Sequence, residues 1–330
     1  MAPVYAGTNV GQEKANGNNT LLIEDALNSP ENYAPFANDA LYRMLGQNPK
    51  IGPLMASILK EPIARWYMRT VALKDQPDLG QHGIRTACIG MGLAKALYKE
   101  LKISDHELRE LGVCLLLHDV GKFAVPREIL YKPDSLSPEE RKVIEFHTEY
   151  GLYCLNDIVP LNGMTPPKAA YVALSHHRGA KKPYPYDSEF ERLSFSITCL
   201  SKAEKERIIK ELLDVIGVAD LFEAMSSADR GYRSKPMTNE ELWANIPGQL
   251  NDINPLTISK LRNMVSTAID QHISKDKYKK RPFNDFNPAL HRRMASRLVD
   301  VSYFLRTGHP HKANIVLESL VREAHPVTRY

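Results

Sequence analysis

The stretch from Leu115 to Pro126 places residues that can bind a metal ion directly after a run of apolar residues. Three leucines precede His118, Asp119 occupies the next position, and Lys122 follows three residues later. Burying a carboxylate and an ammonium group beside an apolar run costs free energy unless each charge has a partner, and a metal cation is an effective one. A His-Asp pair at a helix end can also be a capped, hydrogen-bonded histidine. This stretch alone leaves both interpretations open.

Further histidine and aspartate residues lie on, or at the ends of, separate predicted helices. With the central pair they form the set His82, His118, Asp119, His147, His176, His177 and Asp220. Five of the 11 histidines belong to this set, and most of its members adjoin apolar helical runs, which chance scatter would not produce. Imidazole and carboxylate without thiolate favour iron, manganese, cobalt or zinc in a mixed site over a structural zinc site. An adjacent His-Asp pair can serve two metal ions, which together activate a bridging hydroxide and hold a phosphate.

Helical periodicity and helix start signals predict an all-α fold with a helical core. Capping boxes open on Ser104, Ser137 and Thr238, each with a glutamate three residues later. Helical segments are predicted near 36–46, 51–59, 62–74, 78–101, 201–213, 256–273, 288–305 and 311–323. We expect residues 1–77 to form a loose tail, over 1–19, and a small helical module of unknown role. Residues 78–330 should form a metal-binding helical domain with a C-terminal helical extension.

Composition is that of an ordinary globular protein, with 25% charged residues. The basic run from Lys277 to Arg281 predicts a solvated helix end, so no nucleic-acid partner is expected. No signal-peptide pattern is present, and no apolar run approaches the ~20 residues that cross a bilayer, which predicts a cytoplasmic protein without a membrane partner. The four cysteines are far apart and form no CxxC pair, so we expect reduced cysteines that serve in packing.

The order of these motifs resembles the HD-GYP family, a branch of the HD phosphohydrolases. The matching motifs are His82, His118-Asp119-Val-Gly-Lys122, His147-x-x-x-Gly151, His176-His177, Asp220-Leu-Phe-Glu-Ala-Met and Arg230-Gly-Tyr-Arg233. They cover roughly residues 78–245. The resemblance implies a helical HD core with an iron- or manganese-type centre of two or three divalent ions. It also implies hydrolysis of cyclic di-GMP to linear pGpG or GMP in a bacterial cytosol.

Carried over residue by residue, the resemblance assigns metal ligation to the seven residues of the set above. Asp78 lies one turn before His82, where members with a third ion usually have glutamate. Because aspartate is shorter, the third ion stays an open question. Lys122 matches the lysine that steadies the phosphate or protonates the leaving oxygen, beside the catalytic Asp119. The alternative for Lys122 is a surface lysine in a turn.

The loop after His177 departs from the family signature, which reads roughly HHExxDGxGYP. Here the glutamate, the Asp-Gly pair and the glycine before tyrosine are missing, and the loop is one residue shorter. Tyr184 aligns with the family tyrosine, but Pro183 fixes φ where glycine turned freely, so the ring could point elsewhere. Arg230, Arg233 and Lys235 follow the last ligand, where the family holds substrate phosphate or guanine. Their alternative is solvent-facing charge.

Three functions fit these observations. The first is a metal-dependent phosphodiesterase that hydrolyses cyclic di-GMP through a metal-bridging hydroxide. The second is a degenerate member that binds metal and nucleotide without turnover and signals through protein partners. The third is an HD hydrolase for another phosphorylated substrate. The rewritten loop favours the second, and the complete set of ligands favours the first.

Overall fold

The computed structural model describes residues 32–158, 167–227 and 237–276. Within these ranges most residues are helical, and the β-type contacts there are two isolated bridges, Tyr33 with Thr238 and Ala180 with Leu250. The all-α prediction is confirmed for the described part of the chain. The tail over 1–19 and the predicted helices near 288–305 and 311–323 lie outside the described residues.

The first three helices match their predicted segments to within two residues. They are α1 (Ala34–Gly46), α2 (Ile51–Ile58) and α3 (Pro62–Leu73), and after a short turn comes α4 (Pro77–Ala96). Proline opens both α3 and α4 at the first helical position, where its missing N–H would have no intrahelical partner in any case. The predicted helix near 78–101 is therefore α4 followed by a separate single turn, α5 (Tyr98–Leu101).

The middle of the chain holds the elements that surround the central motif. These are α6 (Asp105–Leu117), a 3-10 turn (Val120–Ala124), α7 (Arg127–Leu130), α8 (Pro138–Glu145), α9 (His147–Tyr153), a π-helical turn (Cys154–Ile158) and α10 (Pro167–Ser175). Helix α6 opens with the predicted capping box, in which the Glu107 N–H donates to the Ser104 hydroxyl (3.2 Å) and the Ser104 N–H donates to the Glu107 carboxylate (2.8 Å). Helix α8 opens on Ser137 in the same way. Both capping predictions are confirmed.

The C-terminal part begins after the predicted loop at 178–187. Its helices are α11 (Asp187–Ser196), α12 (Lys202–Arg207), a π-helical turn (Ile208–Leu212), α13 (Leu213–Ser226), α14 (Asn239–Gln249) and α15 (Pro255–Asp276). The predicted helix near 201–213 thus runs through the π-helical turn directly into α13. One expectation about cysteines is wrong: Cys88 and Cys114 are buried, but Cys199 is exposed on the turn between α11 and α12.

One hydrophobic cluster joins these helices, from Ala34 on α1 to Ala268 on α15. Helix α4 packs against both α6 and α13, and α1 packs against α4 and α15. The predicted domain boundary at residue 77 lies within this shared core, between α3 and α4. The role of the first 77 residues stays a prediction. No helix in the described ranges combines the length and apolar character that crossing a membrane requires.

A close backbone approach fixes the 3-10 turn against α9. A Cβ atom added at Gly121 would lie 1.8 Å from the carbonyl oxygen of His147 and 2.4 Å from the amide nitrogen of Gly151. Only glycine fits at this contact. The turn that follows Asp119 is thereby held directly against the start of the helix that carries His147.

Candidate metal centre

Five helices bring the predicted ligands to one place. His82 projects from the second turn of α4, His118 and Asp119 end α6, and His147 begins α9. His176 and His177 directly follow α10, and Asp220 lies in the middle of α13. Four of the histidines and Asp119 are buried, while His177 and Asp220 are partly buried. The side chains come from positions spread over some 140 residues, so only the packing of the helices assembles them.

The ligand atoms form two groups whose members all lie within 4.8 Å of one another. The first group is Asp119, His147, His176 and His177, and the second is His82, His118 and Asp220. In the second group, His82 Nε2 lies 3.0 Å and His118 Nε2 lies 3.4 Å from Oδ1 of Asp220. Each group consists of the imidazole and carboxylate ligands that bind divalent metal ions.

The Asp119 carboxylate lies between the two groups. Its Oδ1 is 3.2 Å from His147 Nε2, whereas its Oδ2 is 3.3 Å from His82 Nε2. Oδ1 is buried and accepts no hydrogen bond. A buried carboxylate oxygen without a donor costs free energy, and a cation between Oδ1 and the neighbouring imidazole nitrogens would remove that cost.

In three of the histidines a backbone carbonyl fixes Nδ1, the ring nitrogen that faces away from the centre. Nδ1 of His118 lies 2.7 Å from the Leu115 carbonyl oxygen, and Nδ1 of His147 lies 2.6 Å from that of Ile144. Nδ1 of His176 lies 2.9 Å from the carbonyl oxygen of Ala173. A carbonyl can only accept, so each Nδ1 is the protonated nitrogen and each Nε2 presents a lone pair to the centre. Nitrogen lone pairs that converge on a buried carboxylate fit divalent cations.

The pKa shifts favour the protonation states that metal ligands need. Burial would raise the pKa of Asp119, but the charges of Lys122 and His118 hold it well below its usual range. Burial would also raise the pKa of Asp220, but the neighbouring imidazoles of His118 and His82 hold it well below its usual range. Burial lowers the pKa of His176 to about 4 and, with the neighbouring imidazoles, that of His177 well below 6.5. At neutral pH the two carboxylates are therefore ionised and these two imidazoles neutral.

Lys122 lies at the edge of the same cluster. Its ammonium group donates to Oδ2 of Asp119, and its side chain is 18% exposed. The alternative of a free surface lysine does not describe this position. A cation that contacts the shared carboxylate and still faces solvent could also contact a phosphate.

Tyr184 lies beside the first group of ligands. Its ring centroid is 4.4 Å from that of His177 and 6.0 Å from that of His147. Pro183 therefore does not turn the Tyr184 ring away from the ligands in this fold. Burial raises the pKa of Tyr184 well above its usual value, and Asp119 and Asp220 raise it further, so the phenol keeps its proton.

Other predicted site residues lie elsewhere. Asp78 is exposed in the first turn of α4 and belongs to neither group of ligand atoms found among the described residues. A third ion at Asp78 stays a prediction. Arg230, Arg233 and Lys235 fall in the gap at 228–236, outside the described residues.

Glu223 is a buried residue of the cluster that was not predicted as a site residue. It is 2% exposed, and its carboxylate contacts Nδ1 of His82. Burial would lower the pKa of His82, but the charge of Glu223 and hydrogen bonds to Asp119 and Asp220 raise it well above its usual value. One signal was available in the sequence, since Glu223 lies three residues after Asp220 on the same helix and hence near the same face.

Comparison with known proteins agrees with this geometry. Residues 72–195 match the model of the HD domain family. The chain is 28% identical over 185 residues to a cyclic di-GMP phosphodiesterase of Pseudomonas aeruginosa. The aligned residues are 56% of this chain and 38% of that protein. It is 30% identical over 146 residues to a cyclic di-GMP phosphodiesterase of Thermotoga maritima. This alignment includes 44% of this chain and 34% of that protein.

A third relative, a 3'3'-cGAMP-specific phosphodiesterase of Vibrio cholerae, is 29% identical over 136 residues, which is 40% of this chain and 22% of that protein. The chain thus spans well under half the length of these relatives. The HD domain match and these relatives support membership in the HD-GYP family of HD-domain proteins. HD-domain phosphohydrolases depend on metal ions, and the chain carries a His/Asp cluster of the matching kind.

Proposed function

We propose that this protein is a cytoplasmic metal-dependent phosphodiesterase that hydrolyses cyclic di-GMP to linear pGpG or GMP. The observation that carries the proposal is the position of Asp119, whose two oxygens face the two separate groups of ligands. Iron or manganese suits this set, because the ligands are imidazoles and carboxylates without a thiolate. When bound, two such ions supply an activated water and polarise the phosphate that it attacks.

Two side chains near the ligand cluster would contact the substrate. Lys122 faces solvent beside the shared carboxylate, where its ammonium group can hold a phosphate oxygen or give a proton to the leaving oxygen. The Tyr184 phenol stays protonated and can donate a hydrogen bond beside the first group of ligands. The positions of Lys122 and Tyr184 thus support turnover despite the altered loop sequence.

The substrate proposal is supported by relatives that are named for two cyclic dinucleotides, cyclic di-GMP and 3'3'-cGAMP. The loop that follows His177 lacks the family's acidic and glycine residues, which supports a second candidate: a protein that binds a cyclic dinucleotide without turnover and acts on a protein partner. The two candidates share the metal centre and differ only in the chemistry that follows binding.

Turnover by metal-loaded protein tests the proposal. The full chain is prepared without metal, loaded anaerobically with Fe(II) or Mn(II), and mixed with cyclic di-GMP or 3'3'-cGAMP. Chromatography is expected to show pGpG or GMP from cyclic di-GMP, and neither the products nor bound metal should remain in the His118→Ala/Asp119→Ala variant. Binding of cyclic di-GMP without any product from fully loaded protein would replace the enzyme with the sensor. Full metal retention in the double variant would contradict the assigned ligands.

A further inference from the structure

His82 differs from the other three histidines whose Nδ1 contact is described, because it lies inside a helix. His118, His147 and His176 stand at helix ends, and each Nδ1 contacts the carbonyl oxygen three residues earlier. The equivalent carbonyl for His82 is that of Leu79, within α4, and it accepts a hydrogen bond from the Tyr67 hydroxyl at 3.0 Å. The backbone carbonyl that orients the other rings is already engaged at this position.

Glu223 on α13 occupies the place of that carbonyl. Its Oε2 contacts Nδ1 of His82, and its Oε1 accepts a hydrogen bond from the Ser227 hydroxyl at 2.6 Å. The two contacts leave the carboxylate little freedom to turn, since both of its oxygens are engaged. With Nδ1 held by Glu223, Nε2 of His82 is directed toward Asp119 and Asp220, at 3.3 and 3.0 Å.

We propose that Glu223 is the positioning residue of the second ion site, formed by His82, His118 and Asp220, because its contact with Nδ1 fixes the His82 ring with Nε2 directed at the site. The inference rests on the metal centre of the proposed function. Outer hydrogen bonds of this kind typically change metal affinity by about 10- to 100-fold when they are removed. The effect should be confined to one of the two ions, since the first group of ligands lies on the other side of Asp119.

Two conservative variants separate positioning from charge. In Glu223→Gln the side chain keeps its length and an acceptor oxygen for the His82 N–H but loses the charge. In Glu223→Asp it keeps the charge but is one methylene too short to keep the contact. Glu110→Gln serves as the matched control, because Glu110 pairs with Lys168 and belongs to neither group of ligands.

The readout is the binding of Mn(II) to the metal-free full-length protein, measured as stoichiometry and affinity by mass spectrometry of the metal and by electron paramagnetic resonance. We expect two ions in the wild type, in Glu110→Gln and in Glu223→Gln. In Glu223→Asp the second ion should bind about 10- to 100-fold more weakly.

Each other result has a defined meaning. Wild-type affinity for both ions in Glu223→Asp, or an equal loss in Glu223→Gln and Glu223→Asp, would overturn the positioning role and leave the proposed function intact. Failure of the wild type to bind Mn(II) at all would overturn the metal centre and the proposed function with it. Thermal unfolding of the metal-free variants, within a few degrees of the wild type, checks that both are folded.

Discussion

The Tyr184 ring lies against the His177 ring, with centroids 4.4 Å apart and planes inclined by 33°. Arg178 holds the loop between them: it donates to the carbonyl oxygen of Pro185 at 2.8 Å, pairs with Asp187, and stacks on Phe190 of α11 at 4.8 Å. Arg178 stands where the family signature has glutamate. The loop has therefore changed its sequence but still carries its tyrosine to the ligand cluster.

Replacing Tyr184 should lower kcat/KM for cyclic di-GMP without removing the metal ions. Tyr184→Ala removes a ring contact worth about 0.5–1.5 kcal/mol, which corresponds to about a twofold to tenfold fall in kcat/KM if the contact orders the site. Steady-state kinetics with cyclic di-GMP measure the fall, and metal analysis should still find two ions. Tyr186→Ala is the matched control, because Tyr186 lies in the same loop but is 66% exposed. Equal kinetics for the two variants would contradict a role for Tyr184.

Removing the lysine should impair turnover far more than metal binding. We expect Lys122→Met to lower kcat by about 10²- to 10⁴-fold, because the site loses the cation beside Asp119 that the proposed function assigns to the phosphate. Metal analysis and single-turnover kinetics provide the measurement. Lys132→Met is the control, since Lys132 is similarly exposed and pairs with Glu140 away from the cluster. Loss of both metal ions in Lys122→Met would instead make Lys122 a structural partner of Asp119.

Gly121→Ala should disturb both stability and the first ion site. The new Cβ would lie 1.8 Å from the His147 carbonyl oxygen, so the 3-10 turn and α9 must move apart. We expect a loss of about 1–3 kcal/mol in the free energy of unfolding, measured in urea, and weaker metal binding at His147. In the control Gly217→Ala, the added Cβ meets only the Leu250 side chain at 3.5 Å. That variant should be neutral or slightly stabilising, since alanine favours a helix interior over glycine.

The stability of α6 should depend on pH through Glu107. A backbone hydrogen bond from Ser104 and contacts with the Ser104 hydroxyl and Arg207 lower the pKa of Glu107 to about 2. The unfolded chain should have a value of about 4.3. Because the folded pKa is the lower one, this contribution is fully present above the unfolded pKa and is lost as the pH falls toward about 2.

The ionised Glu107 carboxylate should contribute about 1 kcal/mol to the free energy of unfolding, after allowance for solvent screening. Urea unfolding at pH 7 should therefore find Glu107→Gln less stable than the wild type, and the difference should shrink at pH 3. Glu128→Gln, at an exposed position on α7, should show no such difference. A gap between wild type and Glu107→Gln that stays constant with pH would contradict the assigned ionisation.

The sequence by itself predicted most of the helices and named the histidine and aspartate residues that the fold brings together. Capping boxes at Ser104, Ser137 and Thr238 act over three residues, and each forms as predicted because its hydrogen bonds are local. The adjacent pairs His118-Asp119 and His176-His177 follow apolar helical runs, so their burial could be expected from the chain alone.

Only the tertiary structure decided how these side chains meet. The contact between His82 and Glu223 joins residues 141 positions apart, and it depends on how α4 packs against α13. The division of the ligands into two groups with Asp119 between them depends on the same packing. The direction of Tyr184 depends on Arg178 and Phe190, since Pro183 restricts only one backbone angle and leaves the course of the loop to its neighbours.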